Sequence, residues 1–310
     1  MPSKRSVKQP SWVTPMLATL SERRDFDRGW IFERKFDGIR ALAFKQGSAV
    51  ELLSRNKLDL RAQFAAVLPS IETQRNDFIL DGEVVAMSRA RSSFELLQQR
   101  GARTRLVYQV FDIMFIDGED VTARPFVERK RSLSALTETP ALKVSRALRG
   151  SAERLLETAC ARGWEGVIAK RADAPYTPGR SRDWLKLKCS LEQEFVAGGF
   201  SDPKGSRSGF GALLLGVYGD GGLRYAGEVG TGFSHDLLRA LRARLDAIER
   251  ATSPFVDFAK PRKGVHWVEP SIVVQVGFSE WTRDGRLRHP RFLGERTDKS
   301  PRDVLRERPS

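Results

Sequence analysis

From about Trp30 onward, apolar and polar positions alternate in short runs separated by turn residues. Residues 31–36, 41–44, 50–54, 78–86 and 106–113 read as strands. Between them, residues 60–68, 94–100, 127–136 and 152–162 carry apolar side chains at helical spacing. Together these predict a mixed α/β region with a substantial sheet. After Lys188 the pattern changes. Residues 193–200, 212–218, 223–229 and 271–278 read as short strands between Gly-rich turns, with one helix over 235–249. Strands with a single helix are the pattern of a small β-barrel. The boundary falls in residues 189–192. The first ten residues, with Lys4, Arg5 and Lys8, read as a flexible arm.

Composition adds scale and a partner class. A chain of 310 residues suits two domains. Apolar runs such as residues 212–215 are far too short to cross a bilayer, and residues 1–20 lack an apolar signal region, so neither signal peptide nor membrane anchor is expected. The net charge of +14 points to a polyanion. It divides unevenly, +11 in residues 1–190 and +3 in residues 191–310. Two cysteines, Cys160 and Cys189, cannot make a disulfide framework, and the usage fits a reducing cytoplasm. His235, His266 and His289 are scattered, so no Cys/His zinc site is visible.

Six short segments could carry chemistry. In Glu33-Arg34-Lys35-Phe36-Asp37-Gly38-Ile39-Arg40, a lysine ends a strand before an Asp-Gly turn. A free lysine has a pKa of about 10.4, so a nucleophilic one needs neighbouring cations or desolvation to lower it. Arg34 and Arg40 flank Lys35 and could do so. Asp81-Gly82-Glu83 and Glu165-Gly166-Val167-Ile168-Ala169-Lys170 each place a carboxylate beside a glycine and a β-branched run, a plausible pair of hard-metal ligands. In Trp184-Leu185-Lys186-Leu187-Lys188, alternation puts both lysines on one strand face, where they suit a phosphate. Phe111-Asp112 closes an apolar run, and its aromatic could stack on a base or fill the core. Arg296-x-Asp298-Lys299 lies near the C-terminus. Taken singly, each also reads as an ordinary strand end, core residue or solvated charge.

Their order along the chain resembles the motif series of the covalent nucleotidyltransferases, which comprise ATP-dependent DNA ligases, RNA ligases and capping enzymes. The resemblance runs from about Trp12 to Lys299. Further strings are similar to the D-type ligase of bacterial non-homologous end joining: residues 15–20, Leu53-Ser54-Arg55-Asn56, residues 182–186, residues 227–233 and Arg288-His289-Pro290-x-Phe292. Lys57 departs from the pattern, standing where many ligases have glycine, which reads as a local change of turn. The implied fold class is α+β: a mixed α/β nucleotidyltransferase (adenylation) domain with antiparallel sheets, residues 1–190, followed by an OB-fold β-barrel, residues 191–310.

The resemblance implies roles. Lys35 would attack the α-phosphate of ATP and form a lysyl–AMP intermediate. Glu33 would meet the adenine edge and Phe111 would stack on the ring. Arg40 and Arg55 would contact the AMP ribose and phosphate or the nick. Glu83 and Glu165 would hold Mg²⁺ or Mn²⁺ or the ribose hydroxyls, and Lys186 and Lys188 would grip the α-phosphate. Arg296 and Lys299 would orient the pyrophosphate, which requires a hinge at residues 189–192. The basic loop with Lys204 and Arg207 suits a duplex backbone. The implied partners are nicked or broken duplex DNA, with Ku and separately encoded polymerase or phosphoesterase modules as candidates. The implied setting is a monomer in the cytoplasm, associated with the bacterial nucleoid. Two other readings stay open, an RNA ligase or capping enzyme and a non-catalytic OB-fold nucleic-acid-binding protein.

Overall fold

The computed structural model describes residues 8–88, 91–92, 97, 105–203, 205, 208–258 and 263–308. Residues 1–7 of the expected arm lie outside them, as does the helix expected over 94–100 except for Leu97, which is helical and buried. The chain divides into two compact units, one running to Cys189 and the other spanning Ser190–Glu307.

The first unit contains two sheets. One has the strand order Met16–Leu20, Gly179–Lys188, Gly166–Arg171, Trp30–Lys35, Ala147–Leu148. The other runs Ala49–Ser54, Ile39–Gln46, Phe78–Ser88, Arg105–Ile116, Glu119–Asp120, with Arg91–Ser92 and Leu142–Val144 pairing at its side. Most neighbours are antiparallel. Met16–Leu20 and Leu142–Val144 each join their partner in parallel.

Alternation gives every central strand two different faces. In the first sheet, Phe32, Val167, Ala169, Leu185 and Leu187 point to one side. There they meet Ala152, Leu156 and Ala159, the buried stripe of helix Ala152–Ala161. That helix begins at Ser151, whose Oγ accepts the Arg154 N–H at 3.4 Å. The opposite face carries Trp184, which packs with Met16, Leu42, Phe44, Ile79, Phe111, Met114, Phe115 and Tyr176. Several of these belong to the second sheet, so the two sheets meet through this cluster. The far face of the second sheet has its own core, built on Phe64, Ile71, Phe78, Leu80, Tyr108 and Leu133 among others.

The helix expected over 60–68 is absent. Residues 61–64 form turns, residues Ala65–Val67 a 3₁₀ turn, and the α-helix is Leu68–Glu72. Pro69 explains the shift: it lacks an N–H and fits only the first helical turn. Lys57 has φ of 65°, the left-handed conformation that favours glycine. The Ser54 hydroxyl accepts the N–H groups of Asn56 and Leu58 around it.

Cys160, at the end of its helix, and Cys189, just past the Gly179–Lys188 strand, form a disulfide. The cysteine usage had not pointed to a bridge. The fold supplies it by laying that strand against the helix, which brings the two Cα atoms to 5.3 Å.

The second unit is an antiparallel sheet in the order Gly222–Val229, Leu213–Gly219, Leu191–Ser201, Val265–Phe278, Glu249–Arg250, with Arg291–Glu295 pairing with Val265–Phe278. Helix His235–Asp246 packs Leu238, Leu241 and Leu245 into its core. The Val265–Phe278 strand runs longer than the sequence suggested because it passes through Pro270, and the pairing slips opposite residues 197–199. Among the described residues, no helix is long and apolar enough to cross a membrane.

Candidate active site

The candidate site lies where the two sheets of the first unit face each other. Glu33, Lys35, Lys170, Lys186 and Lys188 share the face that carries Trp184, as strand alternation requires. Arg40, Glu83 and Phe111 come from the opposing sheet, where Arg40 lies directly across from Glu83.

Lys35 sits at the centre. In register, Gly166 stands between Lys35 on one side and Lys188 on the other. The space above this glycine holds the carboxylate of the preceding Glu165. Its Oε2 accepts from Lys35 Nζ at 2.5 Å, and its Oε1 lies 3.8 Å from Lys188 Nζ. No other residue could replace Gly166: its φ is 153°, and a Cβ there would stand 2.0 Å from the Leu187 carbonyl oxygen. Gly38 is constrained by approach instead, since its Cβ would fall 2.3 Å from the Val84 carbonyl oxygen. Its N–H donates to Glu83 Oε1 at 2.9 Å, which fixes the turn after Lys35.

The expected electrostatics are reversed. Burial does work to lower the Lys35 pKa, but the carboxylates of Glu165, Glu83 and Asp37 outweigh it and the net shift is upward. Arg34 and Arg40 do not set the balance. Arg34 turns to the helix side over Trp164, and Arg40 forks onto Asp81 with both contacts at 2.5 Å. Arg40 also donates to the Met16 carbonyl at 3.0 Å and stacks 4.7 Å from the Phe111 ring centre. Tyr176 completes this group, donating to Asp81 at 2.6 Å and accepting the Met16 N–H at 2.9 Å.

Glu33 is buried and doubly paired. Lys170 approaches its Oε2 at 2.9 Å, and Lys130 donates to its Oε1. Burial alone would raise the Glu33 pKa, but the two ammonium groups override it and hold the carboxylate below its ordinary range. Next to Lys130, Arg129 forms a fully buried fork on Asp112, both contacts at 2.9 Å, and donates to the Ala174 carbonyl at 3.0 Å. The fork ties helix Phe126–Ser132 to the strand that bears Phe111.

The remaining predicted residues lie elsewhere. Arg55 is half-buried in the turn after Ala49–Ser54. Arg296 and Lys299 belong to the second unit. There Arg296 forks onto Asp298 at 2.8 Å and Lys299 pairs with Glu194. Lys204 and Arg207 lie outside the described residues. Sequence reasoning passed over Asp81, Arg129, Lys130, the Lys170 ammonium and Tyr176. Arg129 and Lys130 stand in the charged run Glu128–Arg131, which reads as a solvated face. Only their pairing with distant strands reveals them.

Among the described residues, no three His, Cys, Asp or Glu side chains converge as a metal cage. Two hard carboxylates beside Lys35 still fit a cation such as Mg²⁺, which takes one or two carboxylates and fills its shell with water and phosphate oxygens.

Residues 15–188 match the family described as "ATP dependent DNA ligase domain", and residues 206–299 match "ATP dependent DNA ligase C terminal region". The chain is 38% identical over 317 residues to "Multifunctional non-homologous end joining protein LigD" of Pseudomonas aeruginosa, covering 97% of this chain and 37% of that protein. It is 38% identical over 302 residues to "Multifunctional non-homologous end joining DNA repair protein LigD" of Mycobacterium tuberculosis, covering 95% and 40%. The chain thus spans less than half the length of these curated relatives. It is also similar to the solved structure "mycobacterial DNA ligase D complexed with ATP and MES", with a TM-score of 0.68, 36% identity and coverage of 95% of this chain and 98% of that one. A second is the ligase domain of M. tuberculosis LigD, with a TM-score of 0.54, 37% identity and coverage of 95% and 98%.

Proposed function

Because this chain belongs to the ATP-dependent DNA ligase family, we propose that it seals 5′-phosphate/3′-hydroxyl breaks in duplex DNA through a lysyl–AMP intermediate on Lys35. The carrying observation is the Lys35 ammonium set between sheet faces, against Glu165 and in register with Lys188. In the first step the Lys35 amine attacks the α-phosphorus of ATP. A P–N bond forms as the bond to pyrophosphate breaks, and the proton that the Lys35 amine gives up passes to water. A DNA 5′-phosphate oxygen then takes AMP from Lys35. Last, the 3′-hydroxyl attacks this activated phosphate, expels AMP and closes the phosphodiester. Each step is an in-line displacement, so positioning and charge compensation supply the catalysis.

The side chains divide that work. Glu33 and Phe111 bind the base, by accepting from its edge and by stacking. Lys186 and Lys188, on one strand face, hold the α-phosphate oxygens. Arg40 and Arg55 serve the ribose, the phosphate or the nick. Arg296 and Lys299 orient the leaving pyrophosphate. Glu83 and Glu165 would hold Mg²⁺ or Mn²⁺, which when bound offsets phosphate charge. The relatives' names support a role in non-homologous end joining; nicked or broken duplex DNA as substrate, and Ku and separately encoded polymerase or phosphoesterase modules as partners, belong to the same proposal.

Incubation with ATP and a divalent cation is expected to add the mass of one AMP to the chain, and Lys35→Ala to abolish it. An adduct that persists in the variant excludes Lys35 as nucleophile. Sealing of a nicked RNA duplex in preference to nicked DNA would redirect the substrate to RNA.

A further inference from the structure

Two ammonium groups share one buried carboxylate at Glu33, and they differ. The Lys170 side chain is 2% exposed, as is that of Glu33. Lys170 also donates to the Phe111 carbonyl at 3.1 Å and lies 4.6, 4.6 and 4.1 Å from the ring centres of Phe111, Phe126 and Trp184. That is the setting of a sealed countercharge. The Lys130 side chain is 16% exposed, and its contacts to Glu33 and to the Ser145 carbonyl use two of its three donors. One cation already balances the Glu33 charge. The second therefore adds a reachable donor next to an acceptor. The adjoining Arg129–Asp112 fork fixes its position relative to Phe111.

An acceptor and a donor side by side match a base edge on which an amine adjoins a ring nitrogen. Adenine presents that pair, its 6-amino group next to N1 on one side and N7 on the other. Guanine has O6 in place of the amine, which would face the Glu33 carboxylate oxygen to oxygen. We propose that Lys130 reads the nucleobase: its ammonium donates to the ring nitrogen beside the adenine amine, while Glu33 accepts from the amine, and the pair sets the preference for ATP. This rests on the reading of Glu33 and Phe111 as the base pocket.

The test measures kcat and KM for lysyl–AMP formation by the full chain, using ATP, 1-deaza-ATP, 7-deaza-ATP and the triphosphate of purine riboside, which lacks the amine. The native chain is expected to lose about tenfold or more in kcat/KM with one of the two deaza analogues, as for a hydrogen bond to a charged donor. Lys130→Met should lose a similar factor with ATP, mainly in KM, and no longer distinguish ATP from that analogue. Lys130→Gln, which keeps a donor but not the charge, should retain part of the discrimination. Deaza discrimination unchanged in Lys130→Met, or Gln and Met variants that behave alike, would show that Lys130 is only a countercharge and overturn the proposal. Should Lys130→Met not fold, Lys130→Arg decides in its place: its guanidinium moves the donor, so unaltered deaza discrimination overturns the proposal and diminished discrimination supports it. The base-pocket reading is judged separately. If the native chain uses the triphosphate of purine riboside as well as ATP, Glu33 does not accept from the amine, whatever the deaza analogues show.

Discussion

In the proposed lysyl–AMP chemistry, Glu165 is expected to set the pH at which Lys35 acts. Its carboxylate, with Glu83 and Asp37, outweighs burial and holds the proton on the ammonium. The reactive form is the neutral amine, so the rate of lysyl–AMP formation should rise with pH until Lys35 is titrated. Glu165→Gln removes the nearest negative charge, and its pH–rate profile is expected to have its rising limb displaced to lower pH, whatever happens to the plateau. A limb in the native position would show that Glu165 does not control this proton. The place of Lys35 at a strand end and the shared face of Lys186 and Lys188 were legible in the sequence, because strand alternation is local; the register that sets Gly166 between Lys35 and Lys188 was not, because it joins three strands distant in the chain. Nor was the sign of the charge around Lys35. The flanking arginines looked like its neighbours, but alternation sends Arg34 to the opposite sheet face and Asp81 captures Arg40.

At the scale of elements, two ion-paired groups hold local structure together. Helix Phe126–Ser132 is fastened through the buried Arg129–Asp112 fork. Arg129→Met leaves a buried carboxylate unpaired and should cost about 3–5 kcal/mol in urea unfolding, much of it recovered when Asp112→Leu is added. A cost below about 1 kcal/mol would mean that the helix is held by apolar packing alone. In the second unit, His266 joins three strands. Its ring lies between Glu249 at 2.8 Å and Asp202 at 3.0 Å and stacks on Phe200, which also carries the Arg242 guanidinium. The hydrogen bond to Glu249 leads the upward shift of the His266 pKa, burial opposes it, and the hydrogen bond to Asp202 and the two carboxylate charges add to the rise. A raised folded-state pKa stabilises the charged form, so this contribution is complete below about pH 6.5 and fades as pH rises through the folded value. Thermal scans of the native chain and of His266→Gln should therefore differ most at acidic pH and converge at alkaline pH; a constant gap would rule titration out. Strand positions were largely readable from period-two runs. The helix starts at Ala152 and His235 were read correctly; the helix expected from residue 60 was not, because Pro69 and not the apolar spacing decides where the Leu68–Glu72 helix begins.

For the whole molecule, the +14 charge carries a prediction about DNA. Binding to a nicked duplex should weaken more than tenfold between about 50 and 200 mM salt, since each phosphate contact releases counterions. A flat response would argue against a phosphate-facing surface. The division into a mixed unit and a strand-rich unit was visible as a change of pattern at Lys188. The Cys160–Cys189 bridge was not, because nothing in a 29-residue spacing says that a strand will return beside a helix end. In the chain-entropy account, closing that span stabilises the fold by about 3–4 kcal/mol.

The same bridge changes the covalent topology of the chain. Oxidised, residues 160–189 form a ring with one tail leaving each cysteine, and Glu165, Lys186 and Lys188 lie on the ring. A single backbone cut within the ring opens it but leaves one covalent molecule, with the segments on either side of the cut still joined through sulfur. A cut beyond Cys189 sheds the downstream tail at once. Reduction removes this difference, so the redox state of two side chains decides whether a nick beside the lysine clamp divides the protein.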